Sequence, residues 1–118
     1  MPVSKAFCDY VQELLAPVGV VSIKRMFGGA GVYADDLMFG LVADDVLYLR
    51  VDEVSEPDFR AAGSEPFVYR MRDGAETSMS YWRAPEEALD DPEQAAPWAR
   101  LALEAAVRKR APKGQKRR

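Results

Sequence analysis

The sequence predicts an α+β domain of two layers, in which helices cover one face of a single antiparallel sheet. Three observations lead to this class. Apolar residues recur at helical spacing near both ends of the chain. Short segments rich in β-branched and aromatic residues fill most of the region between them. Turn-forming residues, rather than long crossovers, separate those segments, so the predicted order is α-β(3–4)-α-β(2)-α.

The first predicted helix covers about residues 3–16, where apolar side chains recur three and four positions apart. Pro17 ends it, because proline cannot continue the backbone hydrogen bonds of a helix. A short helix is predicted over residues 56–63, and a helical turn over residues 84–89.

The last predicted helix runs from Pro92 to about residue 109. Pro92 suits a first helical position, since its missing N–H would have no partner there. Pro97 lies inside the pattern, so we expect it to kink the first turns or to delay the straight part to about Ala96.

Four strands are predicted between the first two helices, and two more follow the short helix. Two Asp-Asp pairs are predicted as hairpin turns, although aspartate enters the left-handed region less readily than glycine. The pairs are Asp35-Asp36 and Asp44-Asp45. The strands cover about residues 21–27, 30–34, 37–43, 46–51, 66–71 and 77–82.

The third strand is apolar on both of its faces, which is unusual for a sheet with helices on one side only. Strict alternation would place Leu37, Phe39 and Leu41 on one face and Met38, Gly40 and Val42 on the other. A helix, a long side chain or a second protomer has to cover the second face. We therefore predict a homodimer through the face bearing Met38 and Val42.

The glycine cluster at residues 28–31 has the composition of a phosphate-binding loop but not its motif. It lacks the Lys and the Ser or Thr of a P-loop, and Ala34 stands where a dinucleotide fingerprint needs glycine. A strand follows, whereas phosphate sites use a helix N-terminus. We interpret the cluster as a bulge or tight turn between two strands.

The sequence offers no evident catalytic machinery, cofactor site or metal site. It contains no histidine, and Cys8 is its one cysteine. Its adjacent carboxylates are predicted in turns or on opposite faces of strands, where they would not converge for acid–base chemistry. We expect a non-enzyme. A small-ligand binder or enzyme remains the alternative if a deep pocket encloses Arg25 or Arg83 with a carboxylate.

Arg25 and Arg83 are charged residues within apolar surroundings. Their stems could lie over the sheet with the guanidinium groups in water. Alternatively, Arg25 with Met26 and Phe27, and Arg83 with Tyr81 and Trp82, could anchor a partner protein, since Trp, Tyr and Arg dominate interface hot spots.

Charge is segregated along the chain. Residues 108–118 hold seven basic residues and no acid, although the whole chain has a net charge of −3. The preceding body therefore carries about −10. The tail is a solvated end, a segment lying on the acidic body, or a nucleic-acid arm. The candidate phosphate contacts are Arg108, Lys109, Arg110, Lys113, Lys116, Arg117 and Arg118.

The start of the chain shows no signal peptide, and its apolar runs are shorter than the ~18 residues that suggest a membrane span. We expect a cytoplasmic protein with no membrane partner.

Four segments in order resemble the N-terminal domain of the TfoX/Sxy family of bacterial competence regulators. They are RMFGGAGVY, LMFGLVADDVLYLRVDE, FRAAGSEPFVYRM and MSYWRAPEEALDDPEQAAPWARLALEAA. The resemblance covers about residues 8–108. It implies the α+β order given above and a non-enzymatic role in regulating DNA-uptake genes, with the cyclic-AMP receptor protein or other transcription machinery as partner.

The resemblance also implies a set of motif residues. Members of the family carry a second, C-terminal domain, whereas here a basic tail follows, so we expect a stand-alone domain over residues 1–108 and a tail over 109–118. The motif residues are Arg25, Met26, Phe27, Gly28, Gly29, Gly31, Tyr33, Gly63, Pro66, Phe67, Tyr69, Met79, Ser80, Tyr81 and Pro85.

Overall fold

The computed structural model of the chain describes residues 4–26, 29–70 and 76–110. The helices are α1 (Lys5–Leu14), α2 (Glu56–Ala61) and α3 (Pro92–Arg110). The strands are β1 (Val21–Met26), β2 (Gly29–Ala34), β3 (Leu37–Ala43), β4 (Val46–Arg50), β5 (Pro66–Arg70) and β6 (Glu76–Arg83). Two short 3₁₀ turns cover Ala16–Val18 and Glu86–Leu89.

Within the described ranges, all six strands join one sheet in the order β1-β2-β3-β4-β6-β5, and every neighbouring pair is antiparallel. The predicted α+β class and element order are confirmed. Only β6 leaves the sequential order, because it inserts between β4 and β5.

The two Asp-Asp pairs form the predicted two-residue hairpin turns. All four aspartates have positive φ, from 50° at Asp35 to 65° at Asp36. Two consecutive left-handed residues are typical of the type I′ turn, whose twist matches the twist of the flanking strands.

The helix boundaries follow local sequence signals. Ser4 caps α1, since its Oγ accepts a hydrogen bond from the backbone N–H of Phe7 at 3.1 Å. Helix α3 begins at Pro92, as predicted, and continues through Pro97 to Arg110.

The hydrophobic core lies between the helices and one face of the sheet. The largest fully buried side chains include Phe39 of β3, Phe59 of α2 and Leu14 of α1. Phe59 contacts Trp98 of α3 edge-on, with 4.9 Å between ring centroids. Alanines line the buried side of α3, which lets the helix approach the sheet closely. They are Ala95, Ala99, Ala102 and Ala106.

A register shift in the β2–β3 ladder changes which residues share a face. Val32 lies opposite Gly40, but Tyr33 lies opposite Met38, so Phe39 is an extra residue in β3. Val42 consequently joins Phe39 in the core at 0% exposure.

The predicted homodimer face, which was to carry both Met38 and Val42, is therefore wrong, because the two side chains do not share a face. Met38 is half-buried on the sheet side away from the helices, whereas Val42 is inside the core. Self-association itself stays a prediction.

Among the helices that the structure describes, none is long and apolar enough to cross a membrane.

Candidate interaction surface

The sheet face opposite the helices carries the strand side chains that do not enter the core; we call it the outer face. Residues directly opposite each other on neighbouring antiparallel strands share a face. One such row crosses five strands and consists of Lys24, Gly31, Leu41, Tyr48 and Arg83. The row thus has a cation at each end and apolar or small residues between them.

Arg50 and Tyr81 form one contact of the outer face. They lie opposite each other on β4 and β6. The Arg50 guanidinium donates to the Tyr81 hydroxyl at 2.8 Å and lies 5.1 Å from the centroid of its ring. The hydroxyl in turn donates to the backbone oxygen of Met38 at 3.4 Å. Tyr81 is only 5% exposed, and this burial raises the pKa of its hydroxyl, against the opposing effect of Arg50.

Two further aromatic contacts extend this surface toward both edges of the sheet. Lys24 places its ammonium 4.9 Å from the centroid of the Tyr33 ring. Tyr48 and Phe67 meet edge-on, with 4.8 Å between ring centroids. Each is a polar–aromatic or aromatic–aromatic pair of the kind found at protein interfaces.

The structure separates the predicted anchor residues onto two sides of the sheet. Tyr33, Tyr81 and Arg83 lie on the outer face. Trp82 lies opposite the core residue Leu49 and is 8% exposed, with the Arg60 guanidinium 5.3 Å from its ring centroid. Trp82 is therefore a core residue rather than a surface anchor.

The residues of the segment RMFGGAGVY are also not grouped on one surface. Arg25 lies opposite the core residue Ala30, on the helix side of the β1 edge. Met26 ends β1, while Phe27 and Gly28 lie outside the described residues.

The glycines of this motif permit close strand packing. A Cβ on Gly29 would stand 2.4 Å from the backbone oxygen of Val42 on β3, a distance that real Cβ atoms do not adopt. Gly31 follows in the same buried stretch of β2. These observations agree with the packing interpretation of the cluster, although the predicted bulge belongs to the neighbouring strand.

The family comparison matches the TfoX N-terminal domain over residues 13–106. The chain belongs to the TfoX N-terminal domain family. It is also similar to Protein Sxy of Escherichia coli (strain K12), with 24% identity over 107 residues. The alignment covers 91% of this chain and 51% of that protein, so the chain spans about half the length of its relative.

The outer face of this TfoX N-terminal domain includes residues that the sequence interpretation did not select. The outer-face residues that were not predicted as site residues are mainly Tyr48, Arg50 and Lys24. The signal that could have found Tyr48 and Arg50 is their alternation with Leu47, Leu49 and Val51 in the sequence. Extending that alternation to the neighbouring strands would have found Lys24 as well.

The basic segment begins inside the fold. Arg108 lies in α3 and donates two hydrogen bonds to Asp52, from Nε to Oδ2 at 2.6 Å and from NH2 to Oδ1 at 2.9 Å. The predicted boundary at residues 108/109 thus falls within a helix that extends to Arg110. Lys109 is exposed, whereas Lys113, Lys116, Arg117 and Arg118 lie outside the described residues.

Asp52 is held by several donors at once. The backbone N–H groups of Val54 and Ser55 also donate to its carboxylate, at 3.1 and 3.2 Å. The hydrogen bonds from Arg108 lower the pKa of Asp52 to about 2, more than burial raises it, and the same contact raises the pKa of Arg108. Asp52 therefore joins the end of α3 to the loop after β4.

Arg83 also lines a cleft of about 410 Å³ that contains Glu65, Glu86 and Glu87. All four of these residues are exposed. The cleft is an open surface feature rather than the deep enclosed pocket that the ligand-binding alternative requires. Within the described ranges, no three His, Cys, Asp or Glu residues are grouped to hold a metal ion.

Proposed function

We propose that this domain is a non-enzymatic protein-interaction module that acts in transcriptional regulation of the competence type. The observation that carries the proposal is the outer face, where Arg50 contacts Tyr81 and Tyr48 contacts Phe67. Tyrosine and arginine are enriched in interface hot spots. Membership of the TfoX N-terminal domain family and the similarity to Protein Sxy support a regulatory role.

The placement of the acidic residues supports the non-enzymatic part of the proposal. The aspartates of both hairpin turns are exposed. Acid–base catalysis needs groups that converge on a reacting atom, with pKa values adjusted by burial or by a partner. The carboxylate with a strongly lowered pKa, Asp52, is occupied by Arg108 and the loop backbone.

Affinity purification of the full chain from its bacterial host tests the proposal. We expect a transcription factor or an RNA polymerase subunit to be recovered with the chain. A matched variant with Tyr48→Ala and Phe67→Ala should recover less of it, because these rings belong to the outer face. Recovery of no protein beyond the background of an unrelated bait would contradict the proposal.

Nucleic-acid binding through the basic tail is the second candidate, favoured by the concentration of charge there. Since Arg108 is paired with Asp52, six basic residues remain for phosphates. The logarithm of the DNA affinity should then fall against the logarithm of salt concentration with a slope of about −5.

Deletion of residues 111–118 separates this candidate from the first. It leaves Lys109 and Arg110, so the salt slope should fall to about −2. An Arg108→Gln control should keep the slope of the full chain. Equal DNA affinity with and without the tail would contradict tail-mediated binding.

A further inference from the structure

We propose that the outer face binds an extended, acidic peptide segment of a partner protein. This inference rests on the proposed interaction function and specifies the chemistry of the partner. Its basis is the charge, the orientation of the Arg50 guanidinium and the spacing of the outer-face residues.

The charge of the outer face is opposite to that of the chain. The charged strand side chains described on this face are all cations, although the chain carries −3 overall. They are Lys24, Arg50 and Arg83. Acidic residues stand instead in the hairpin turns, in the loop after β4 and in the cleft at the β6 end beside Arg83. They are Asp35, Asp36, Asp44, Asp45, Asp52, Glu53, Glu65, Glu86 and Glu87.

Within the part of the chain that the structure describes, Arg50 retains donors for a carboxylate. A guanidinium has five N–H groups, and the Tyr81 hydroxyl takes a hydrogen bond from NH1. The contact fixes the guanidinium over the Tyr81 ring, so the group is oriented before a partner arrives. Arg50 is half-buried, and partial exclusion of water strengthens a charge-assisted hydrogen bond.

The spacing of the cations defines the length of the segment. Lys24 and Arg83 end a row across five strands, and neighbouring strands lie about 4.8 Å apart. The two positions are therefore about 19 Å apart, which an extended peptide spans with about six residues. Leu41 and Tyr48 lie between them, and the half-buried Tyr48 would contact an apolar residue in the middle of the peptide, since Leu41 is only 9% exposed.

Single-stranded nucleic acid fits the same surface less well. Binding of bases needs aromatic ring faces that are free for stacking. The rings of Tyr33 and Tyr81 are already contacted by Lys24 and Arg50, and Tyr48 is packed against Phe67. A continuous polyanion would also meet the turn aspartates, whereas two spaced carboxylates would not.

A second copy of the chain and the chain's own basic tail also fit the outer face poorly. Face-to-face pairing with a second copy would oppose Lys24, Arg50 and Arg83 to identical cations. The basic residues after Arg110 would be repelled by the same three side chains. An acidic partner segment has the complementary charge.

Selection from a displayed library of random twelve-residue peptides against the full chain tests the proposal. We expect the selected peptides to be enriched in Asp and Glu about six positions apart, with an apolar residue between them. A variant with Lys24→Gln, Arg50→Gln and Arg83→Gln should bind these peptides about tenfold more weakly or worse.

The matched control carries Lys5→Gln, Arg100→Gln and Lys109→Gln. It has the same net charge, but its changed residues are exposed on α1 and α3. The control should bind the peptides as the unchanged chain does. The single change Arg83→Glu alters an exposed side chain and should weaken binding even if the triple variant fails to fold.

Three outcomes of the peptide experiments would overturn the proposal. They are selected peptides without acidic enrichment, equal peptide binding by the unchanged chain and by Arg83→Glu, and failure to select any peptide. Binding of a labelled twelve-nucleotide oligothymidine, or self-association in light scattering, also overturns it if Arg83→Glu abolishes that interaction.

The host affinity purification distinguishes failure of this inference from failure of the proposed function. Circular dichroism first shows whether Arg83→Glu and the triple variant are folded. If the folded variants recover the same partner in the same amount as the unchanged chain, the interaction function stands, and the assignment of the binding site to the outer face is wrong. If the unchanged chain recovers no partner while acidic peptides bind the outer face, the peptide site stands and the regulatory function is wrong.

Discussion

Asp52 and Arg108 form a two-point contact between side chains 56 positions apart in the sequence. The side chain of Asp52 is 28% exposed and that of Arg108 39%. Solvent screening therefore reduces the stabilisation that the lowered pKa of Asp52 would otherwise imply. We assign the pair about 1 kcal/mol.

Replacing Asp52 with Asn should lower the free energy of unfolding by about 1 kcal/mol at pH 7. Because the pKa of Asp52 is lowered from 3.8 to about 2, its stabilisation is complete above pH 3.8 and decreases as the pH falls toward 2. About half should remain at pH 3. Urea denaturation at pH 7, 4 and 3 measures this difference.

Asp9→Asn is the control, since Asp9 pairs with Lys5 on the exposed side of α1. It should change stability by less than about 0.5 kcal/mol. An Asp52→Asn loss that stays the same at pH 7 and pH 3 would contradict the charge-based explanation.

Gly29 is restricted by the backbone of β3. Gly29→Ala should destabilise the fold by about 1–3 kcal/mol, because the new methyl group would overlap the Val42 oxygen and one of the strands would have to move. Gly40→Ala is the comparison, since its Cβ would meet Val32 Cβ at 3.1 Å, a much smaller overlap than the one at Gly29. Thermal unfolding followed by circular dichroism should rank Gly29→Ala as the less stable variant; the reverse order would contradict this account.

At the residue scale, the sequence identified some surface residues but not their grouping. Tyr81 and Trp82 are adjacent aromatic residues, yet strand alternation sends Tyr81 to the outer face and Trp82 to the core. The pairing of Asp52 with Arg108 had no local signal, because it depends on how α3 lies across the sheet.

At the scale of elements, the hairpin turns hold aspartates in a backbone conformation that lowers the stability of the fold. Asp35 and Asp36 both occupy left-handed backbone conformations, which cost an L-residue about 1 kcal/mol or more each. Asp35→Asn with Asp36→Gly should raise the free energy of unfolding by about 1 kcal/mol, since Asn-Gly suits this turn type. Chemical denaturation measures the gain.

Asp45→Gly in the second hairpin should raise the free energy of unfolding less than Asp36→Gly does. Asp45 Oδ1 accepts a hydrogen bond from the backbone N–H of Ser4 at 2.9 Å, and glycine would lose it. Asp36→Ala should instead reduce stability, because alanine tolerates a positive φ less well than aspartate does. An increase in stability with Asp36→Ala would contradict the turn assignment.

The sequence predicted the strands and turns well because their signals are local. Alternation of apolar residues and the two Asp-Asp pairs gave the strand limits to within about one residue. The extra residue at Phe39 could not be found in this way, since Leu37 to Val42 are apolar at nearly every position. Without a polar residue to mark the outward side, alternation assigned Val42 to the wrong face.

At the scale of the whole molecule, the predicted boundary after residue 108 falls inside α3, which extends to Arg110. Helix α3 contributes core residues as far as Ala106 and the paired Arg108, so a chain that ends at Val107 loses the contact with Asp52. It should be about 1 kcal/mol less stable than a chain that ends at Arg110.

The comparison uses two truncated chains that differ by three residues. A chain ending at Arg110 and carrying Arg108→Gln should resemble the shorter one in urea denaturation. If both chains ending at Arg110 are equally stable and exceed the shorter chain, the added helix length rather than the ion pair is responsible.

Cys8 gives this protein a built-in reporter of partial opening. It is the single thiol in the chain, and it is only 7% exposed within the core that α1 helps to close. A thiol-reactive dye should therefore label it at a rate set by transient detachment of that helix. Labelling kinetics would then detect any ligand that tightens or loosens the amino-terminal helix, without introducing a mutation.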